Sequence, residues 1–337
     1  MTGVTCYGEM LLRLTAPQNS ELLQAPTLEV NVGGAEANVA VSLARFGHPA
    51  SLVTVLPENA LGRAALSELR RHGVGTGEVR FRPGRMGLYF LAVGAGHRPS
   101  EVLYDRADSA FAQAPADSID WSAALHGADW LHLSGITPAV SSSAAEAALR
   151  AVRAARAQGV AVSFDCNYRA KMWERWHGSA GTVLRELVNE ADLLFAEPRD
   201  IALILARSYD SSPSEGRFAA AAADAFAAFA HLQRIAATVR VQRNCDDHDL
   251  SAVLSSRDGL HKTRQYSLGR IVDRIGSGDA FAAGVLHGIL TGWDDQAIVD
   301  FGLAAACLKH SIPGDFNLID VTQVQHLLQG TGYTVRR

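Results

Sequence analysis

The stretch Arg270-Ile-Val-Asp-Arg-Ile-Gly-Ser-Gly-Asp-Ala-Phe-Ala-Ala-Gly284 decides how the rest of the chain is read. Ile271 and Val272 form an apolar approach to a Gly-Ser-Gly turn, and Asp279 follows at once. A helix of small residues is expected from Ala280 to Leu290, stopped before Gly292. Gly276 and Gly278 allow a tight turn and a close approach of backbone to ligand. A helix start leaves N–H groups unpaired and carries partial positive charge. The amides from Gly276 through Ser277 and Gly278 to Asp279 therefore offer an anion site suited to phosphate. Asp279 itself has two readings: it caps the helix, or it removes a proton from a group attacking that phosphate. Spacing leaves both open.

Composition narrows the function classes. The chain has 337 residues, 48% hydrophobic and 20% charged, an ordinary globular balance with ample core. A net charge of -4 argues against a dominant nucleic-acid surface. Glu9 and Arg13 interrupt the first apolar run, so no secretory leader is expected. No apolar run approaches the ~20 residues of a membrane span. Cys6, Cys166, Cys245 and Cys307 are scattered without a Cys-x-x-Cys pair. A zinc site is not expected, no metal-ligand set is identifiable, and a reducing cytoplasm fits the thiols.

Outward from the opening stretch, strands and helices alternate. Strands are expected at 4–7, 51–56, 130–133, 160–164, 193–196, 237–241, 251–254 and 263–267. Helices are expected at 35–46, 61–72, 142–158, 182–190, 218–231, 297–309 and 321–329, with a polar loop at 208–216. A double glycine, Gly33-Gly34, precedes the first helix and puts Asn38 on its first turn, either as a solvated residue or within reach of a ligand. The rhythm breaks at 11–32 and 82–110, where extended runs and the turn Gly94-Ala-Gly-His-Arg-Pro99 suggest an inserted hairpin. The fold expected is α/β: a doubly wound, mostly parallel sheet flanked by helices, with a small inserted β-sheet lid. The main domain would comprise 1–10, 33–81 and 111–337, and the lid 11–32 and 82–110. Ligands in such folds sit at the carboxyl ends of the strands.

Gly33-Gly-Ala-Glu-Ala-Asn-Val-Ala-Val-Ser-Leu-Ala-Arg-Phe-Gly47 and Asp273-Arg-Ile-Gly-Ser-Gly-Asp-Ala-Phe-Ala-Ala-Gly284 resemble, in order and separation, the two signatures of the ribokinase (PfkB) sugar kinase family. Within it the chain is most similar to 2-keto-3-deoxygluconate kinases. Leu131-His-Leu-Ser-Gly-Ile-Thr-Pro138, Asp165-Cys-Asn-Tyr-Arg169-Ala-Lys-Met-Trp173 and His310-Ser-Ile-Pro-Gly-Asp-Phe-Asn317 carry the narrower match. The resemblance implies a ribokinase-like fold and phosphorylation of a sugar acid by ATP. It implies Mg2+ bridging the ATP phosphates and leaves open a monovalent cation near the anion site, as in some relatives. Asp279 would be the general base. Gly34, Asn38, Tyr89, Tyr104, Arg106, Ile136 and Arg169 would meet the sugar, the two arginines gripping its carboxylate through paired hydrogen bonds. Arg240, Gly276, Gly278 and Asp315 would face the nucleotide. Strand edges on the lid could pair between subunits, giving a homodimer.

Departures from the family pattern fall on the nucleotide side. Many members carry Asn-x-x-Glu where this chain has Glu197-Pro-Arg-Asp200. Many also have a Lys/Arg-x-Gly-x-x-Gly turn where this chain has Gln242-Arg-Asn-Cys-Asp-Asp-His-Asp249, acidic and free of glycine. Acidic residues beside a triphosphate repel it. However, Thr238-Val-Arg240, Asp249-Leu-Ser-Ala-Val-Leu254 and Gly314-Asp-Phe-Asn317 resemble a sub-branch of these kinases with its own version of this region, so the departure is read as subgroup variation. Two other readings stay open: a kinase for fructose, ribose or another sugar acid, and a sugar-binding protein with an impaired ATP site. A dinucleotide-dependent dehydrogenase is disfavoured, because no Gly-x-Gly-x-x-Gly follows the first strand.

Overall fold

The computed structural model describes residues 3–209 and 214–330. Fourteen strands are assigned among the described residues. They are β1 Val4–Tyr7, β2 Leu11–Thr15, β3 Glu29–Gly33, β4 Ala50–Pro57, β5 Val79–Arg82, β6 Gly87–Ala92 and β7 Glu101–Asp105. They continue with β8 Trp130–Ser134, β9 Ala161–Asp165, β10 Leu193–Phe195, β11 Arg234–Gln242, β12 His248–Ser256, β13 Leu260–Lys262 and β14 Tyr266–Leu268. Ten form one sheet in the order β13-β12-β11-β10-β9-β8-β1-β4-β5, with β14 alongside β12. From β11 through β5 every neighbouring pair is parallel, and β12 closes the other end antiparallel to β11.

Alternation of side chains explains why both faces are covered. Leu52, Leu193, Phe195 and Ala236 point into one core, and Val53, Val55, Leu194 and Ile235 into the other. The first core is closed by helices Ala35–Arg45, Ala60–Arg71, Ser277–Thr291 and Asp295–Lys309. The second is closed by Ser142–Ala157, Ala180–Asn189, Pro198–Leu205 and Ser214–Ala228. Helices Ser277–Thr291 and Asp295–Lys309 touch through glycine: a Cβ on Gly284 would lie 2.7 Å from the Gly302 Cα. That contact lets the two helices pack closely against each other.

The remaining four strands form a separate sheet, β3-β2-β6-β7. Its inner face carries Leu11, Tyr89, Leu91 and Tyr104, which pack on Ile275 of the opening stretch. The doubly wound fold with a small separate sheet is thus present. Details differ from expectation. Arg82 ends β5, an edge strand of the main sheet that composition did not signal. The helix expected from Ala280 begins at Ser277, because small residues on its first turn leave room for the tight entry from Gly276. The strand expected at 263–267 is two short pieces, β13 and β14, both paired with β12. The polar loop expected at 208–216 falls partly outside the described residues, and Ser214 already begins a helix. Among the described residues no helix is long and apolar enough to cross a membrane.

Candidate active site

The carboxyl ends of β8, β9, β10 and β11 open into a cavity of about 380 Å³. Helix starts close one wall, with Gly34 and Asn38 from one and Gly276 to Asp279 from the other. The four-stranded sheet closes the opposite wall with Leu11, Tyr89, Tyr104 and Arg106. Gly34, Asn38, Tyr89, Tyr104, Arg106, Ile136, Arg169, Arg240, Gly276, Ser277, Gly278, Asp279 and Asp315 all line it. These residues therefore reach one space, although they come from separate stretches of the chain.

Asp279 occupies the first turn of its helix and accepts a 2.7 Å hydrogen bond from Nδ2 of the buried Asn38. Enclosure by protein pushes the carboxyl up to about 8. The Asn38 bond pulls against that shift, while the charges of Asp165, Glu36 and Asp315 add to it. No side-chain cap bond is made at this helix start. The first intrahelical bond runs from Ala280 N–H to Gly276 C=O. The amides of Gly278 and Asp279 precede it and face the cavity end of the helix. Gly276 must be glycine: its φ is +78°, and a Cβ would sit 2.1 Å from the Asp315 carbonyl oxygen.

The two arginines differ. Arg106 is 4% exposed, and its Nε donates to Glu9 at 2.6 Å. Glu9 is also bonded by the Ser109 hydroxyl, so the Arg106 guanidinium is fixed before any ligand arrives. Arg169 is exposed, and its Nη1 donates only to the neighbouring Tyr168 carbonyl at 3.1 Å. The Tyr89 hydroxyl donates to Asp315 at 2.6 Å, and its ring lies 6.3 Å from that of Tyr104. Asp315 lines the same cavity. Its carboxylate is taken by Tyr89 and by Arg13, whose Nε is 3.4 Å away. It therefore also ties the small sheet to the main body.

Thr238, Arg240 and Arg274 line a further part of the cavity. Burial and the nearby Arg274 charge both work against the Arg240 charge, with Glu197 offsetting them in part. At the far wall Asp165 is pushed up to about 7 by enclosure and by the neighbouring Asp200 charge, with Arg169 opposing. Glu197 and Asp200 form a capping box at the start of helix Pro198–Leu205. Among the described residues no three metal-ligating groups converge into a closed metal cage.

Several contributors escaped the sequence reading. Glu36, 1% exposed, accepts from the Ser134 amide at 2.9 Å, the Ser134 hydroxyl at 2.7 Å and the Thr137 hydroxyl at 2.9 Å. It anchors the loop carrying Ile136 beneath Asn38. A charge inside the buried face of an apolar helix was the signal. Arg13 bonds Asp273 at 2.7 Å from 260 positions away, and no local pattern announces such a pair. Arg274 sits inside the opening stretch, one step from the glycine turn, and its charge was the available clue.

The pfkB family carbohydrate kinase pattern matches residues 1–318 of this chain. The chain belongs to the pfkB family of carbohydrate kinases. Among pfkB relatives, the 2-dehydro-3-deoxygalactonokinase of Haloferax volcanii is 32% identical over 324 residues, covering 96% of each chain. The crystal structure of 2-dehydro-3-deoxygluconokinase from Thermotoga maritima superposes with a TM-score of 0.92 at 37% identity, covering 98% of this chain and 100% of that one. A putative ribokinase II from E. coli, solved in complex with ATP and Mg2+, shares the pfkB fold at a TM-score of 0.79 and 18% identity, covering 98% and 100%. The protein is thus a pfkB sugar kinase close to the 2-dehydro-3-deoxygluconokinases.

Proposed function

We propose that this kinase transfers the γ-phosphoryl group of ATP to the terminal hydroxyl of 2-keto-3-deoxygluconate, giving 2-keto-3-deoxy-6-phosphogluconate. The observation that carries the reading is Asp279: a carboxylate with a raised pKa, held by Asn38 at a helix N-terminus, inside a cavity whose other wall carries Arg106 and Arg169. Asp279 accepts the hydroxyl proton as the oxygen attacks phosphorus. The amides of Gly278 and Asp279 stabilise charge developing on the transferred group. Arg240 and Arg274 hold the phosphates of the nucleotide. Phosphoryl transfer asks little covalent work of a protein, so this positioning is the catalysis.

The sugar carboxylate is gripped by Arg169, with Arg106 preset by Glu9. Tyr89 and Tyr104 form the lid over the sugar and keep out water, the competing acceptor. A magnesium ion arriving with ATP supplies charge neutralisation at the phosphates. Asp165 and Asp200 fit it, since a divalent cation relieves their mutual repulsion, and Mg2+ is usually held by one or two carboxylates plus phosphate. A homodimer through the lid belongs to the same reading: β3 and β7 leave free edges, and Val30 and Leu103 are 59% and 56% exposed.

The Haloferax volcanii relative supports a second substrate, the galactonate-derived epimer, which carries the same carboxylate and terminal hydroxyl. A coupled ADP-release assay over both 2-keto-3-deoxy acids, fructose and ribose tests the proposal. Turnover confined to the acids supports it. Equal turnover of ribose overturns the role given to the arginines.

A further inference from the structure

The acidic turn that departs from the family pattern touches the lid. Lid strands β6 and β7 are joined by a loop whose tip is tightly folded: Ala95 and Arg98 exchange backbone hydrogen bonds of 3.0 and 2.9 Å, and Gly96 has a φ of +55°. Both backbone polar groups of Gly96 point out of that tip. The Gly96 N–H donates to Asp246 Oδ2 at 2.8 Å, and the Gly96 carbonyl accepts from the Cys245 N–H at 2.8 Å. Cys245 Sγ adds a contact of 3.0 Å to the Arg98 carbonyl. The receiving turn is itself preorganised. Asn244 Oδ1 accepts from the amides of Asp246 and Asp247 at 2.8 and 3.0 Å, and the Arg243 amide donates to the Asp247 carbonyl at 3.0 Å. The Asp246 carbonyl, in turn, accepts from the Ile271 N–H at 3.3 Å, on the approach to Gly276.

One residue thus holds the lid tip with its side chain and the phosphate-site approach with its backbone. We propose that the Asn244–Asp247 turn is a latch for the lid and that Asp246 is a positioning residue for phosphoryl transfer, a reading that rests on the kinase function proposed above. The latch closes the lid from the nucleotide side, while Arg13 and Tyr89 hold its root through Asp273 and Asp315. The missing glycines then have a physical account. A flexible loop cannot offer a fixed donor and acceptor to Gly96, whereas an Asn-capped turn can. Latching lengthens the time for which water is excluded from the sugar subsite.

The test uses the full chain and two readouts. In Asp246→Ala, amide exchange across residues 86–105 of the free protein should accelerate about three- to tenfold, the worth of one hydrogen bond, while exchange in β1, β4 and β8 stays unchanged. The sugar-acid KM should rise by a similar factor, and ADP release without sugar should increase as water enters. Asp246→Asn keeps an acceptor of the same reach and should restore lid exchange to the wild-type rate. Asp246→Ser, too short to reach Gly96, is the second variant should the alanine form not fold. Unchanged lid exchange in the alanine or serine form overturns the latch, as does acceleration spread evenly over the whole chain. Exchange is read without any substrate. A chain that turns over no sugar acid yet shows the lid effect defeats the proposed function and leaves the latch standing.

Discussion

Asn38 donates to Asp279 across 2.7 Å, although 241 positions separate them in the chain. The bond joins the starts of two helices, so the sugar side and the phosphate side of the proposed site would meet at one carboxylate. It also opposes the burial that raises the Asp279 pKa. Replacing Asn38 with Leu should therefore raise that pKa further and move the rising limb of kcat/KM to higher pH. In the wild type that limb should level above a pH of about 8. A pH–rate profile of both proteins checks the direction. An unshifted limb would separate Asn38 from the chemistry.

The same burial predicts a trade between stability and function. Asp279 binds its proton up to a pH of about 8 in the folded chain but only up to its ordinary carboxylate range when unfolded. Between those values the folded state holds more protons, so stability falls as pH rises through the window. Asp165, pushed up to about 7, acts in the same sense. Asp279→Asn should melt higher than wild type at pH 8, and the gap should close near pH 4. Thermal unfolding at the two pH values measures it.

Arg106 and Arg169 should fail differently. Arg106→Ala leaves Glu9 buried without its partner, which typically costs about 3–5 kcal/mol. A lowered melting temperature is the expected result. Arg169→Ala should fold normally and raise the KM of the sugar acid about tenfold or more, the scale of a charge-assisted hydrogen bond. Arg169→Lys should recover only part of that loss, because an ammonium cannot make the paired contact.

Gly276→Ala should be worse than its size suggests. The added methyl meets the Asp315 carbonyl, and φ of +78° is unfavourable for alanine. The turn must shift, and the amides of Gly278 and Asp279 shift with it. Loss of kcat with a smaller change in sugar KM is expected from steady-state kinetics.

Much of this was legible in the sequence because local rules carried it. The βα rhythm gave the main sheet, and the two glycine-led helix starts gave the cavity wall that carries Asn38 and Asp279. What was missed is held by long-range pairs. Arg13 reads locally as a break in an apolar run, yet it is buried between Asp273 and Asp315. Asp315 follows the last core helix, and nothing in that position announces that Tyr89 ties its carboxylate to the lid. The acidic turn at 242–249 reads as a subgroup's variation on the phosphate loop, with no structural role attached. Its partner, Gly96, lies in a hairpin whose packing no local spacing reveals.

The central claim is that Asp279 deprotonates the terminal hydroxyl of a sugar acid. Single-turnover phosphorylation of 2-keto-3-deoxygluconate by wild type and Asp279→Asn, with the 6-phosphate detected directly, tests it most closely. The account predicts a loss of about 10²–10⁴-fold in the rate of transfer, with sugar binding retained. An Asp279→Asn enzyme within tenfold of wild type would contradict it.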